Sequence, residues 1–551
     1  MVHSINIDAT KLTSPSFPIP GISASLDTSA IQSLHLEPSS YVIQTHVTPN
    51  PTWNFAVTAQ GLVDYAPTLD VSQGGFLTGC GSSTLGVLGF TITINATALT
   101  AVTFLVYGIT GEIKTSVVHQ LQLLPGQYNF RNPAGIRPLI PFEIKADGTV
   151  AYDPNFDADA SPKGFLNGLG TSTIVLLGHA ITIDARALTT ATLHVWGIRN
   201  DWATAQVQQM RLLPGQYSFR NPPSGRPLIP FEIKADGIVD YDPDFDADAS
   251  PKGFFKGLGT STIVLLGHAI TIDASALTTR TLHVYGIWND WATSEVQHLR
   301  LLPGQYYFRN PPAGRPLIPF AIRSDGTVAY EPSFDADSNP NGFYKGLGTA
   351  SIKLLGHTIT VDARALALSI PSFFVNGITD PLPTADPQRL QLLPAYYAFS
   401  TPAGTGPNIN FEVASEGRVS YGLELDISAT PPGYLSGRWT KSLSVVGYGI
   451  LIDARVYAGA VVALHPFGIV LDTSNLQLIS LLPVETFRIE IRSIEPKVAS
   501  FGMSGAGRIV LDDPYPFVDI RWHGWQQTMR LTTDVIRQKR ECCLVLAGID
   551  V

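Results

Sequence analysis

The chain has 551 residues, 44% of them hydrophobic and only 15% charged, which supplies a large core and excludes general disorder. Its formal net charge is -9 with no run of Lys or Arg, which argues against a nucleic-acid partner and against adhesion to an anionic membrane. The three cysteines, Cys80, Cys542 and Cys543, make neither a disulfide framework nor a metal-ligand spacing and are expected as buried or neutral thiols.

The first residues, Met1 to Asp8, offer neither a charged nor an apolar leader region. The longest apolar stretch, Val456 to Leu471, is short for a bilayer and is interrupted by His465 and Pro466. The expectation is therefore a cytoplasmic protein with no membrane insertion. Ile5 to Leu12 (INIDATKL) is the first copy of a segment that returns along the whole chain.

A Leu-Pro-Gly-Gln-Tyr turn places its proline at Pro125, Pro214 and Pro303, about 89 residues apart, with degenerate copies at Pro38, Pro394 and Pro483. An Asp-Gly turn follows at Asp147-Gly148, Asp236-Gly237 and Asp325-Gly326, weakening to Gln60-Gly61, Glu416-Gly417 and Ala506-Gly507. Next comes a shared aspartate, Asp70, Asp157, Asp246, Asp335, Asp426 and Asp519. An Ile-Asp-Ala segment closes the series at Asp184, Asp273, Asp362 and Asp453, with Asn95 and Asp534 as variants. The chain thus reads as six tandem repeats, cut at 33–120, 121–209, 210–298, 299–389, 390–479 and 480–551 after a partial copy at 1–32. Counting that partial copy, the Ile-Asp-Ala segment occurs seven times.

Every repeat reads as strands. Phe142 and Ile144 alternate with Glu143 and Lys145, and the Asp-Gly turn reverses the chain into Thr-Val-Ala-Tyr. The stretch around Gly178-His179 reads as a second hairpin, and Thr-Leu-His-Val-Trp-Gly-Ile as a further β-rich run. No segment sustains a helical period, and about six strands per repeat are expected. With Gly 49 and Pro 41 marking many turns, the fold class is all-β. The near-continuous strands and the partial first copy predict a closed six-bladed β-propeller, the partial copy being a ring-closing strand. A string of six β-sandwich units is the alternative.

Several positions could carry chemistry. In a ring, the six shared aspartates (Asp70, Asp157, Asp246, Asp335, Asp426 and Asp519) could hold calcium or magnesium, and the run Asp242, Asp244, Asp246, Asp248 resembles a calcium loop without its glycine and closing glutamate. No other cofactor is expected. A structural role, accepting backbone N–H groups in a turn, competes with the metal and is the favoured reading. The same holds for the Ile-Asp-Ala aspartates. His179, His268 and His357 stand at one repeat position, where other repeats carry Phe90, Tyr448 and Met529, so packing is expected over a three-histidine metal site. His194 and His283 alternate with Phe and Leu and are likewise expected to pack.

The connection after His-Val-Trp-Gly-Ile carries Arg199-Asn200-Asp201-Trp202 in one repeat and Trp288-Asn289-Asp290-Trp291 in the next, with Arg220-Asn221 and Arg309-Asn310 nearby. Aromatic faces beside amide and carboxylate groups suit a sugar, and loops on a β scaffold are usual binding positions. The alternative is a tryptophan that packs on a neighbouring unit. The last repeat gathers Arg521, Trp522, His523 and Trp525, which could form an aromatic pocket with His523 as an acid–base group. No phosphate loop, nucleophile elbow or metalloprotease motif occurs. The leading expectation is a multivalent, lectin-like protein whose partner is a glycan or another small molecule. The alternatives are an enzyme with a single pocket and a structural or assembly protein.

Overall fold

The fold was described from a computed structural model, which covers residues 1–44, 52–109, 111–131, 139–196, 198, 201–220, 228–287, 290–309, 317–366, 372–378, 380–400, 408–465, 469–482, 484–492, 497–503, 509–511, 518–523 and 526–531; at residues 24, 484–487 and from 497 onward it describes the backbone alone. Among these residues the only helices are short 3₁₀ turns. The rest is β-structure, in paired sheets of four and five strands that recur along the chain. The chain forms a succession of β-sandwiches.

The pairing shows how one sandwich is made. In the third, His179–Asp184 pairs antiparallel with Gln208–Leu212 and parallel with Thr262–Leu265, which in turn pairs with Phe255–Lys256. The second sheet runs Trp202–Ala203, Thr192–Val195, Gly215–Arg220, Leu228–Ile233, Val239–Asp240. Alternate residues point inward: Leu193 and Val195, Tyr217 and Phe219, and Phe231 and Ile233 are buried and form one cluster with Ile181, Ile183, Ile263 and Leu265. The first long strand of the sandwich thus lies beside its last, and their parallel pairing closes the unit. Units so defined span 3–87, 90–176, 179–265, 268–354, 357–445 and 448–531.

Two expectations are corrected. The closed propeller is not formed: His3–Asp8 pairs with Gln32–Leu36 and Thr84–Val87 of its own unit, so it opens the first sandwich and closes no ring. Six of the seven Ile-Asp-Ala copies end the strand that opens a sandwich, from His3–Asp8 to Tyr448–Asp453, and the copy at Asp534 lies outside the described residues. The hairpin at Gly178-His179 does not form either. Thr173–Leu176 pairs with Phe90–Asn95 and Leu166–Asn167, whereas His179–Asp184 belongs to the next unit. Gly178, at φ 62°, does turn the chain, but it hands it from one sandwich to the next. Each full repeat accordingly carries nine strands instead of six. The hairpin through the Asp-Gly turn forms as expected, with Glu143 opposite Ala151 and Ile144 opposite Val150.

The chain divides into two compact units. The first comprises Met1–Ala269 with Leu299–Gln305 and Ile322–Gly326; the second comprises Ile270–His298, Tyr306–Ala321 and Thr327–Val551. Within the first unit, consecutive sandwiches interlock. Leu124, at the Leu-Pro turn of the second sandwich, is buried in the core of the first with Phe17, Phe55 and Leu85. Leu213 of the third enters the core of the second with Ile92, Phe130 and Phe165. A two-bond clip accompanies each plug. Thr13 N–H donates to Gln122 O (3.0 Å) and Gln122 N–H to Thr13 Oγ1 (2.8 Å), and Thr100 and Arg211 repeat the pair at 3.0 and 2.9 Å. Within the second unit, Leu482 plugs the core of the fifth sandwich, and Thr278 and Gln391 form the same clip.

Leu213 is 4% exposed, so replacing it by alanine leaves a cavity in the neighbouring core. The Leu213→Ala chain should lose roughly 2–5 kcal/mol in chemical unfolding, the range for buried leucine truncation. A loss under about 0.5 kcal/mol would show that the plug fills nothing.

Candidate functional site

The shared aspartates sit where each sandwich turns through a 3₁₀ segment. Asp157 ends the turn Pro154–Phe156 and is 4% exposed. The Tyr152 hydroxyl donates to its Oδ2 at 2.6 Å, Asp159 N–H to Oδ1 at 2.9 Å, and Ala160 and Leu169 N–H at 3.3 and 3.4 Å. Burial pushes this carboxyl up, but the Tyr152 hydroxyl and the backbone N–H groups outweigh it and hold it below the usual carboxylate range. Tyr241 and Tyr330 make the same bond to Asp246 and Asp335 at 2.6 and 2.5 Å, and Tyr65 and Tyr421 to Asp70 and Asp426 at 2.7 and 2.8 Å. Around Asp70 and Asp426, Ser72 and Ser428 add hydroxyl and N–H donors. Both oxygens of these aspartates face donors, which is the geometry of a turn and leaves little for a cation. Among the described residues no three His, Cys, Asp or Glu side chains converge on a metal position. Asp242 caps Asp244 N–H and Asp248 pairs with Lys256, so the calcium-loop resemblance dissolves into separate local contacts. Asp519 lies on the strand Val518–His523, where the backbone alone is described.

The histidines at the hand-over act as staples. His179 lies against Phe165 of the preceding sandwich, ring centroids 5.0 Å apart, and its Nε2 is 3.0 Å from the carbonyl oxygen of Ala235 in the Asp-Gly turn. A Cβ on Gly237 would sit 2.7 Å from His179 Nδ1, so the turn needs glycine for space as well as for its φ of 80°. His357 repeats the arrangement with Phe343 and the Ser415 carbonyl. Phe90 takes the same place under Gly148, and His3 takes it under Gly61, an equivalence the repeat reading had not drawn.

The loop residues behave differently from one another. Trp202 pairs with Leu193 across the sheet and packs, half-buried, on the third core; Trp291 stands opposite Leu282 in the same way. Asn200, Trp288 and Asn289 lie outside the described residues, as does Trp525. Trp522 and His523 are placed only as backbone, opposite Gln527 and Gln526.

His194 and His283 depart from the expectation of packing. Between buried Leu193 and Val195, His194 points outward, and its Nδ1 is 2.8 Å from Oδ1 of Asp201. His283 and Asp290 repeat the pair at 2.8 Å. Across the strand, His194 stands opposite Arg220, and His283 opposite Arg309. Two residues on, Trp196 and Tyr285 are 46% and 45% exposed, and Tyr107 holds the equivalent place in the second sandwich at 59%. Sequence reasoning had passed over these aromatics; the signal was the recurrence of Tyr, Trp and Tyr at one outward register of an alternating strand.

A separate open groove of about 1020 Å³ marks the first sandwich, lined by Trp53, Tyr65, Leu69, Asp70 and Cys80. Here Asp70 and Phe76 are closer in sequence than Asp157 and Phe165, and Leu69 stands where Phe156 does. Cys80 is exposed there, its thiol 3.6 Å from Asp64. No helix among the described residues is long and apolar enough to cross a membrane.

No protein-family model matches the chain, and no curated protein does. Two crystal structures of the pilus adhesin SpaC from Lactobacillus rhamnosus GG show a distant likeness. One is 11% identical over 64% of this chain and 55% of that one, with a TM-score of 0.15. The other, in an open conformation, is 11% identical over 77% and 52%, with a TM-score of 0.20. The chain spans about half the length of these adhesin chains. Overlap of that size carries no function across.

Burial pushes His179, His268 and His357 below the ordinary histidine range, against the carbonyl and carboxylate neighbours that favour the proton. Below about pH 6.5 the unfolded chain takes up protons that the folded chain refuses, so stability falls as pH drops from there through the depressed values. The aspartates, also depressed, add a loss that begins only near about pH 4. Melting temperature measured from pH 8 to pH 4.5 should fall, and a His179→Phe, His268→Phe, His357→Phe chain should show a flatter curve over that interval. An unchanged slope would remove the histidines from the account.

Proposed function

We propose that the protein is a multivalent carbohydrate-binding protein that docks sugars on the outer face of its five-stranded sheets. The observation that carries this reading is the exposed aromatic at one register of three consecutive sandwiches, Tyr107, Trp196 and Tyr285. Large aromatic side chains gain most by burial, so three outward-facing ones at equivalent positions ask for a ligand face to cover them. A pyranose ring has an apolar face that stacks on such a plate, while Asp201, Asp290 and Glu112 stand on the adjoining loops to meet hydroxyl groups. Trp202 and Trp291, half-buried at the sheet edge, serve as supports for these loops and not as the stacking surface. A single exposed plate gives weak affinity, and repetition along the chain converts it into avidity.

Glycan-array screening of the folded chain should give binders whose signal drops at least tenfold in the Tyr107→Ala, Trp196→Ala, Tyr285→Ala chain. The absence of any binder from a folded sample, or a triple variant that binds as the parent does, would overturn the proposal.

A further inference from the structure

We infer that the third and fourth sandwiches bind the carboxylate of an acidic sugar, a reading that rests on the carbohydrate-binding proposal and names the ligand within it. The third sandwich places four groups on one outward face. His194 and Trp196 are two residues apart on the same strand line, which puts them on one side of the sheet. Arg220 is the direct cross-strand neighbour of His194, and such neighbours have their side chains within reach of each other. Asp201 holds His194 through Nδ1 at 2.8 Å. The Nδ1–H donates to the carboxylate, which fixes the ring and leaves Nε2 facing outward. Among the described residues, Nε2 of His194 accepts or donates no hydrogen bond, and the Arg220 guanidinium has no acceptor. The fourth sandwich repeats every part with His283, Tyr285, Asp290 and Arg309, and there Nε of Arg309 is a buried donor without a partner among the described residues.

A guanidinium fork without an acceptor among the described residues, set beside an aromatic plate, fits a planar carboxylate carried on a sugar ring. Arginine binds such a group with two parallel N–H···O bonds while the ring stacks on Trp196 or Tyr285. The other sandwiches lack one part or another. The second has Leu105 opposite Arg131, and the fifth has Phe374 opposite Ser400. In the sixth, Glu490 is shared by His465 at 3.0 Å and by Arg492 at 3.1 Å, so its cation is already neutralised. The complete set therefore occurs in the third and fourth sandwiches alone among the described residues. The chain's net charge of -9 repels polyanions in general, so a preference for acidic sugar must come from a local site.

The experiment titrates the full chain by calorimetry, at low and at physiological salt, with a uronic-acid oligosaccharide and with the same oligosaccharide fully methyl-esterified. The acid should bind at least tenfold tighter than the ester. Arg220→Met with Arg309→Met should abolish that preference at an unchanged melting temperature, since methionine keeps the apolar stem. Trp196→Ala with Tyr285→Ala should weaken both ligands. Equal affinity for acid and ester, or a preference that survives in the arginine variant, would overturn the acidic-sugar inference while leaving the carbohydrate reading intact. No binding of either form would overturn both.

Discussion

The first, second and fifth sandwiches are each completed by a leucine that belongs to the next. Leu124 and Leu213 lie just beyond the strand that pairs antiparallel with the one following the hand-over, so the residue that fills the earlier core arrives only after the chain has left it. The clip between Thr100 and Arg211 fixes the depth of insertion through paired backbone groups, and the His179 ring covers the seam by lying on Phe165. Two residues, Leu177 and Gly178, connect the strands on either side. A linker so short leaves the sandwiches little freedom to part, which is how a repeat protein shares stability between neighbours. The first sandwich carries the exposed Glu37 where the second carries Leu124, so it presents no apolar plug of its own.

The repeat was legible in the sequence, and its phase was not. Landmarks such as the Leu-Pro and Asp-Gly turns reveal a period, but a period has no natural beginning. The boundary depends on the parallel pairing of Thr182 with Thr262, a contact between residues far apart in sequence. Local alternation also cannot separate a tight hairpin from a hand-over, because Gly178 turns the chain in either case. The same blindness made the first strand look like a ring closure. Positions that answer to local chemistry were read well: the aspartates accept turn N–H groups, and the Asp-Gly turn makes a hairpin.

Histidine shows how one residue type serves two ends in one scaffold. At the hand-over, His179 and His357 are covered by aromatic rings and could be replaced by Phe90 or Tyr448 in other sandwiches, which marks them as packing groups. At the outer face, His194 and His283 also exchange with Leu105 and Phe374, and the same substitution pattern suggested packing. The direction of the side chain separates the cases. It is set by the parity of the strand, with buried Leu193 and Val195 on either side of His194. An aspartate seven residues later in both repeats was the available sign that this histidine has a polar partner.

The shared core is tested most directly by hydrogen exchange in a chain carrying Leu124→Ala. Leu124 belongs by sequence to the second sandwich and by packing to the first. Exchange should accelerate in the first sandwich, at the amides of Ile5, Phe55 and Leu85, at least as strongly as in the second. Acceleration limited to residues 90–176, with the first sandwich exchanging as in the parent chain, would contradict the interlocked account.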